Sequence, residues 1–425
     1  MYQIENAATI LKARRAGRRV RVGRNVLLIG AVSFLTDISS EMVATVLPLY
    51  LIYTLGLSPL QFGVVDGVYQ GATAIVRLAG GVVADRWRRY KDVAAFGYAL
   101  SAFCKPAFLL VGGAWGALTG IVLADRVGKG IRTAPRDALI SLSAPPQNLG
   151  AAFGVHRSLD TAGAMLGPLL AFGILALVPG AFDAVFVVSF SFALMGLGVL
   201  VLFVENRGAE APDGVAAPSP VAAQPVPSIR SSLRLVTEPG FRRVVVLASG
   251  LALATMSDGF LYLLLQRRLD LDPTYLPLLF VGTATAFMVL AVPIGALADR
   301  VGRGRVFLAG YALLFCVYGS VLLPAAGVAS LALILVALGA YYAATDGVLM
   351  ALVSARLPSE LRASGLALLV TGTSLARLLA SVLFGALWTA FGAETAVAIF
   401  AAALGLATAT AVLSLRGLEP TEAVA

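Results

Sequence analysis

Acidic and basic residues interrupt several long apolar segments of this chain, and most of these residues fall in its first half. Asp37 and Glu41 lie four residues apart, so on a helix they share one face. Two carboxylates in a poorly solvated place repel each other when both are ionised, which favours a proton on one of them. The pair is therefore a candidate proton carrier. A static ion pair with Arg126 or Lys129 is the alternative.

A second set of charges runs through the segment LADRVGKGIRTAPRDALI, in which several basic residues follow Asp125. At about 100° per residue they fall within an arc of about 120° on one helical face. We expect Arg126 and Lys129 to reach a polar interior. Arg132 and Arg136 either join them or anchor the cytoplasmic end of the helix.

His156 and Asp160 form another pair four residues apart, and the histidine is either a hydrogen-bonding or a titrating group. Ionisable residues inside a membrane are costly and are functional candidates by default. The predicted proton-coupling network consists of Asp37, Glu41, Arg126, Lys129, His156 and Asp160.

Other polar and aromatic residues at interior positions could line a substrate path or serve as anchors at the membrane interface. The predicted substrate-cavity residues are Asp66, Tyr69, Gln70, Lys105, Asp258, Tyr262, Tyr342, Asp346 and Arg377.

The composition indicates that membrane helices position these residues. The 425 residues are 59% hydrophobic and 13% charged, whereas a soluble chain carries about 25% charged residues. A span needs about 20 mostly apolar residues, and twelve segments qualify, of which the fourth and fifth are interrupted by charge. They are 25–53, 60–84, 93–113, 115–141, 149–178, 182–204, 241–266, 273–298, 304–325, 328–355, 361–389 and 393–415. We predict an all-α membrane protein.

The segments fall into two six-helix bundles, 25–204 and 241–415, joined by a Pro/Ala-rich linker at 205–240. Residues 1–24 form a basic arm and residues 416–425 a short tail. Basic residues cluster in alternate loops, so both termini are expected in the cytoplasm. Arg267 and Arg268 fall on the outer side, where Asp270 and Asp272 could offset their charge.

Several function classes are excluded. The single histidine and the two cysteines, Cys104 and Cys316, leave no set of metal ligands. No glycine-rich segment has the context of a phosphate-binding loop, and no basic patch is interleaved with aromatics that could stack bases. We therefore expect no cofactor, no metal, no nucleic acid and no enzymatic activity.

Two loops carry the same pattern of a glycine, an Asp-Arg pair and a basic turn: GVVADRWRRYK from Gly81 and GALADRVGRGR from Gly295. This repeat resembles the cytoplasmic loop signature of the major facilitator superfamily. The resemblance implies twelve transmembrane helices in two halves with pseudo-two-fold symmetry and a substrate path between them. It also implies a conformational switch at Gly81, Asp85, Arg86, Gly295, Asp299, Arg300, Gly302 and Arg303.

Two further motifs extend the resemblance. Arg126-x-x-Lys129-Gly130 is similar to the fourth-helix motif Arg-x-x-Gln-Gly, whose arginine is tied to proton movement in that family. Gly154, Gly163, Gly167 and Pro168 follow a pattern that resembles the antiporter motif of drug–proton exporters, although Ala171-Phe172 stands where that motif ends in Gly-Gly.

The predicted function is proton-coupled export of a small organic compound by alternating access. The expected partners are that solute, protons and the lipid bilayer, and the protein is expected to be a monomer in the bacterial cytoplasmic membrane. One alternative is proton-coupled uptake of an organic anion or metal chelate held by Arg126, Lys129 and Lys105. Another is a lipid flippase or a non-transporting receptor on the same fold.

Overall fold

A computed structural model describes residues 23–87, 89–145, 148–206, 235–323, 327–354, 357 and 361–415. The side chains of 74, 75, 77–87, 236, 363 and 415 are not described. Nearly all of the predicted basic arm, most of the predicted linker and the predicted tail thus lie outside the described residues.

The described residues are almost entirely helical. The first half contains α1 (Arg24–Leu49, continued by a π-helical turn Tyr50–Thr54), α2 (Pro59–Trp87), α3 (Tyr90–Leu110), α4 (Trp115–Leu142), α5 (Leu149–Leu177) and α6 (Phe182–Phe203). The second half contains α7 (Pro239–Leu253), α8 (Asp258–Arg268), α9 (Leu276–Val301), α10 (Arg303–Leu322), α11 (Val328–Ser354), α12 (Arg362–Phe391) and α13 (Ala393–Leu415).

Length and composition make ten helical segments of the described chain suitable for crossing a membrane. The charged α4 is not among them, and neither is α2, whereas α5 qualifies despite its charged residues. The fold class is an all-α membrane protein, as the hydropathy pattern predicts.

The seventh predicted span, 241–266, corresponds to the candidate span Pro239–Arg268, but this span is not one continuous helix. The helix stops after Leu253 and restarts at Asp258. At the break the backbone N–H of Met256 donates to the Tyr318 hydroxyl at 2.8 Å, and the Ser257 side chain caps α8. Backbone groups inside a membrane need such partners, and these contacts with a neighbouring helix are invisible in a hydropathy profile.

The described residues group into two compact units. The first takes those of Met1–Ala217 and Leu271–Val281, and the second takes those of Pro218–Asp270 and Gly282–Ala425. In the first unit α1 packs against α5 and α6, and α4 packs against both α2 and α3. In the second unit α10 packs against α11 and α13, and α7 packs against α12.

Glycines allow the closest helix crossings in the first unit. A Cβ atom on Gly97 of α3 would lie 2.7 Å from the carbonyl oxygen of Gly128 on α4, and the reverse holds for Gly128. Backbones can approach this closely only where side chains are absent. The crossing lies one turn from Ser101 on α3 and from Asp125 on α4, and these two residues are in contact.

Arg268, at the end of α8, binds the end of another helix. Arg268 donates to the carbonyl oxygens of Leu323 at 2.5 Å and Leu322 at 3.2 Å, where its charge suits the C-terminal end of α10. Asp272 instead accepts from the backbone N–H of Thr274 at 2.8 Å. Hydrogen bonding to Thr274 holds the pKa of the exposed Asp272 carboxyl below its usual value.

Candidate functional site

A buried charge network joins α3 and α4 in the first unit. Lys105 Nζ donates to Asp125 Oδ1 at 2.6 Å and to the Ser101 carbonyl oxygen at 2.8 Å. The Ser101 hydroxyl also donates to Asp125 Oδ1, at 2.5 Å. Arg126 donates to Asp125 Oδ2 through Nε at 3.0 Å and also through Nη2. Two cations thus share one carboxylate.

Arg126 also stacks on an aromatic ring. Its guanidinium carbon lies 3.9 Å from the ring centroid of Tyr69 on α2, a cation–π contact. Its Nη1 atom donates to no described residue, so this end of the guanidinium keeps hydrogen-bond donors for another group. Arg126 is only 4% exposed.

These residues border a small cavity inside the first unit, with a volume of about 10 Å³, roughly the space that one water molecule needs. Ser40, Tyr69, Lys105, Asp125 and Arg126 form its polar wall. Its apolar wall consists of Val43, Leu47, Phe108 and Val122. The predicted cavity residues Tyr69 and Lys105 therefore meet Arg126 here, whereas Asp66 and Gln70, also on α2, do not line this cavity.

The carboxyl groups of Asp37 on α1 and Asp160 on α5 lie close enough to interact with each other. Two carboxylates this close repel each other when both are ionised, which favours a proton on one of them. Asp160 also accepts from Arg157 Nη1 at 2.9 Å and lies 3.8 Å from Arg136 Nη1, so the arginines favour the negative charge on Asp160. The structure thus pairs Asp37 with Asp160 and not with Glu41.

Glu41 on α1 and Lys129 on α4 belong to the same set of interacting charges. Glu41 interacts electrostatically with both Arg126 and Lys129, and Lys129 also interacts with Asp37. Neither Glu41 nor Lys129 has an ion pair within 4 Å among the described residues. One of the two alternatives was an ion pair of the α1 carboxylates with Arg126 or Lys129, but in the structure Arg126 pairs with Asp125.

His156 is buried on α5, and neither ring nitrogen has a hydrogen-bond partner among the described residues. The predicted pairing with Asp160 is therefore absent, because the arginines and Asp37 interact with the carboxyl group of Asp160.

The predicted residues of the second unit form separate pairs. The Tyr342 hydroxyl donates to Asp258 Oδ1 at 2.5 Å, and the Tyr262 hydroxyl donates to Thr283 Oγ1 at 2.7 Å. Asp346 and Arg377 approach to 3.9 Å. Asp258 occupies the first turn of α8, directly after the break in the seventh span, where a helix N-terminus favours negative charge.

The glycines of the antiporter-like pattern pack α5 against α1. A Cβ on Gly163 would collide with the Phe34 backbone, and one on Gly167 would lie 2.6 Å from the Ile38 carbonyl oxygen. Gly154 and the buried Pro168 lie in the same helix. This close contact fixes the position of Asp37 along the axis of α1 relative to that of Asp160 on α5.

In the second signature loop, the Asp299 side chain accepts from Arg303 at 2.9 Å. Arg303 also donates from Nη1 to the Ala351 carbonyl oxygen on α11 at 3.2 Å. Gly302 has φ +112°, which permits the tight turn from α9 to α10. Gly295 is buried in α9, and Arg300 is exposed. In the first loop, the side chains of Asp85 and Arg86 and the surroundings of Gly81 lie outside the described residues.

A family model described as Major Facilitator Superfamily matches residues 29–265 and 246–425. The chain belongs to the major facilitator superfamily. It is 32% identical over 380 residues to an uncharacterized MFS-type transporter of Methanocaldococcus jannaschii, a match that covers 86% of this chain and 89% of the relative. It is 37% identical over 159 residues to an uncharacterized protein of Mycobacterium tuberculosis, covering 37% of this chain and 38% of that protein.

Solved structures show the same superfamily fold. The nucleoside transporter NupG matches with a TM-score of 0.73 at 15% identity, covering 92% of this chain and 98% of its own. A bacterial homolog to the human lysosomal transporter Spinster matches with a TM-score of 0.70 at 16% identity, covering 92% and 96%. At these identities the likeness concerns the fold. Membership of the superfamily makes this chain a multi-pass membrane transporter.

Asp125 lies in the charged stripe of α4 but is not among the site residues that the sequence predicts. Its neighbour Arg126 carries the family motif, and Asp125 is the residue that anchors that motif. The position of this acidic residue next to the motif arginine could have indicated its role. Nothing in the sequence indicates that Ser101 contributes, because its contact with Asp125 depends on the crossing of α3 and α4.

Proposed function

We propose that this superfamily member is a secondary transporter that couples movement of a small organic solute to movement of protons. Asp37 and Asp160 together are the proposed proton-binding group. The observation that carries the proposal is the close approach of their carboxyl groups between α1 and α5, which favours one shared proton.

The surroundings of the pair suit reversible proton binding. Lys129 and Arg132 of α4 interact electrostatically with Asp37, and Arg136 and Arg157 contact Asp160. When the shared proton leaves, these cations stabilise the second negative charge. Loss of the proton also makes the two ionised carboxylates repel each other. Protonation therefore changes how α1 and α5 are held together.

Infrared spectroscopy of the purified protein tests the proton-binding group without any substrate. We expect a carboxyl C=O band that titrates with pH and disappears in Asp37→Asn. Glu41→Gln is the matched control, one turn along the same helix, and should keep the band. A titrating band that survives in Asp37→Asn, or disappears in Glu41→Gln, would place the proton elsewhere.

Proteoliposomes test the coupling itself. A panel of organic acids, amines, nucleosides and sugars is offered under an imposed pH gradient, and solute movement is measured by mass spectrometry. We expect at least one solute to move only while the gradient persists, and Asp37→Asn to abolish this dependence. Equal movement with and without the gradient would refute proton coupling.

Export is the direction that the glycine pattern of α5 predicts. In the structure, however, close packing against α1 is sufficient to explain Gly163 and Gly167. Proton-coupled uptake of an organic anion is the second candidate, favoured by the unused donors of Arg126. An anion near Arg126 and a proton on the carboxyl pair attract each other electrostatically, so each favours binding of the other. Solute and proton then move in the same direction, which an inward proton gradient turns into uptake.

A further inference from the structure

Two residues of opposite charge lie deep within spans of the second unit and are still open to solvent. Asp346 is about two turns from the nearer end of α11, and Arg377 lies near the middle of α12. Their side chains are 54% and 38% exposed. Charged residues at this depth face water-filled space and not lipid. Water and small solutes can therefore reach the pair.

The ion pair between these residues is loose. Arg377 Nη2 and Asp346 Oδ1 are 3.9 Å apart, which is too far for a hydrogen bond. The Nε atom of Arg377 is buried and has no hydrogen-bond partner among the described residues. Water can occupy these positions, and a solute that carries suitable charges can displace it.

The third charged residue of this region is already compensated. Asp258 interacts electrostatically with both Asp346 and Arg377. Its Oδ1 atom accepts from the Tyr342 hydroxyl at 2.5 Å, and it lies in the first turn of α8, where the helix N-terminus favours negative charge. The charges that remain for a ligand are one negative, on Asp346, and one positive, on Arg377.

A negative and a positive group side by side match a zwitterion. A ligand with a single charge would pair with one of them and be repelled by the other. In an α-amino acid a single carbon atom separates the ammonium group from the carboxylate, so each group can reach its partner in a pair this narrow. The planar guanidinium of Arg377 suits the carboxylate, and the Asp346 carboxylate accepts from the ammonium group.

An aromatic ring lies beside the pair. Tyr342 precedes Asp346 by four residues, so the two share one face of α11. Tyr342 is half-buried and interacts electrostatically with Arg377. Because its hydroxyl donates to Asp258, the ring is left as an apolar surface for the side chain of a ligand.

We propose that Asp346 and Arg377 bind a zwitterionic solute of the α-amino acid type, with its ammonium group on Asp346, its carboxylate on Arg377 and its side chain against the ring of Tyr342. That this zwitterion is the solute coupled to protons rests on the proposed function, whereas its binding does not.

Three compounds with the same ring separate the contributions of the two charges: phenylalanine, 3-phenylpropanoate and phenethylamine. At neutral pH they are a zwitterion, an anion and a cation. We expect phenylalanine to bind the purified protein in calorimetry, and each singly charged compound to bind at least about tenfold more weakly. Glycine, which lacks the ring, should also bind more weakly than phenylalanine. A singly charged compound that binds as tightly as phenylalanine, or no phenylalanine binding up to about 10 mM, would overturn the proposal.

A rigid zwitterion tests the spacing of the two charges. In trans-4-(aminomethyl)cyclohexanecarboxylate the ammonium group and the carboxylate lie at opposite ends of a ring, so they cannot both reach Asp346 and Arg377. We expect this compound to bind much more weakly than phenylalanine. Equal affinities would overturn the proposed contacts.

Variants of the pair should change ligand preference in opposite directions. Asp346→Asn should weaken phenylalanine binding and strengthen binding of 3-phenylpropanoate, because no carboxylate then repels that anion. Arg377→Gln should weaken phenylalanine binding and strengthen binding of phenethylamine. A misfolded variant gains affinity for neither compound, so these gains separate a ligand contact from a structural role. Loss of phenylalanine binding without either gain would overturn the proposal.

Glu394→Gln is the matched control, because it removes an ion pair with Arg268 in the same unit at a distance of 3.3 Å. It should bind phenylalanine like the unaltered protein, and an equal loss of affinity there would overturn the proposal. The infrared band of Asp37 tests the proposed function separately. Phenylalanine binding without a titrating Asp37 carboxyl supports the zwitterion site and refutes the proton-binding pair. A titrating Asp37 carboxyl without phenylalanine binding refutes the zwitterion site alone.

Discussion

Asp125 is the carboxylate that pairs with both Lys105 and Arg126, so removing it leaves two buried cations without this counter-charge. Lys105 is 2% exposed and Asp125 is 7% exposed. Breaking a buried ion pair by removing one partner costs about 3–5 kcal/mol.

We therefore expect Asp125→Asn to lower the free energy of unfolding by about 3 kcal/mol or more, measured by denaturant unfolding of the purified protein. The control is Asp92→Asn, which removes a similar pair with Arg89 whose side chains are 70% and 52% exposed. Surface pairs contribute about 0–1 kcal/mol. Equal losses in the two variants would mean that the contacts of Asp125 with Lys105 and Arg126 are as dispensable as a surface pair.

The packing of α5 glycines against the α1 backbone determines how closely these two helices cross. A methyl group on Gly167 would lie 2.6 Å from the Ile38 carbonyl oxygen and 3.0 Å from the Glu41 side chain, so the helices must move apart. Overpacking of this kind costs about 1–3 kcal/mol. Because α5 also carries Asp160, the same movement increases the distance between its carboxyl group and that of Asp37.

We expect Gly167→Ala to lower the unfolding temperature and to weaken the pH titration of the Asp37 carboxyl band. Gly173→Ala is the matched control, because Gly173 lies on the same helix and a methyl group there would have no neighbouring atom within 4 Å. It should leave both measurements unchanged. If the two substitutions have comparable effects, the contact of Gly167 with α1 is not what determines them.

Three helices meet at the second signature loop. Asp299 at the end of α9 binds Arg303 at the start of α10, and Arg303 binds the Ala351 carbonyl oxygen on α11. We expect Asp299→Asn to slow transport of the solute that the proteoliposome panel identifies, while the affinity for that solute stays nearly unchanged. Asp92→Asn disrupts a comparable ion pair with Arg89 that is not tied to another helix, and it should leave transport intact. Parallel losses of binding and transport in Asp299→Asn would indicate a folding defect instead.

For the whole molecule, the distribution of basic residues predicts that both termini lie in the cytoplasm. A fluorescent reporter that folds only in the cytoplasm should therefore be active after Ala425. A phosphatase reporter that is active only in the periplasm should be inactive at that position. The same phosphatase placed after Gly56, in the first predicted outer turn, should be active. Phosphatase activity after Ala425 would reverse the proposed topology.

Local physical chemistry is enough to locate the helices in the sequence. The length of an apolar segment needed to cross a bilayer is set by the bilayer, so eleven of the twelve predicted segments correspond to single helices whose ends lie within a few residues of the prediction. The signature loops and the glycines also follow from sequence, because turns and close helix contacts require particular residues at particular spacings. These features identify the superfamily.

Contacts between helices required the tertiary structure. Spacing of four residues suggested Asp37 with Glu41 and His156 with Asp160, yet Asp37 pairs with Asp160, and Asp125 joins Lys105 to Arg126. The break in the seventh span likewise depends on the Tyr318 hydroxyl from another helix. Helical periodicity fixes which residues share a face of one helix. Glycines such as Gly97, Gly128 and Gly167 pack against neighbouring backbones, and this packing determines which helix faces meet and at what position along the helix axes.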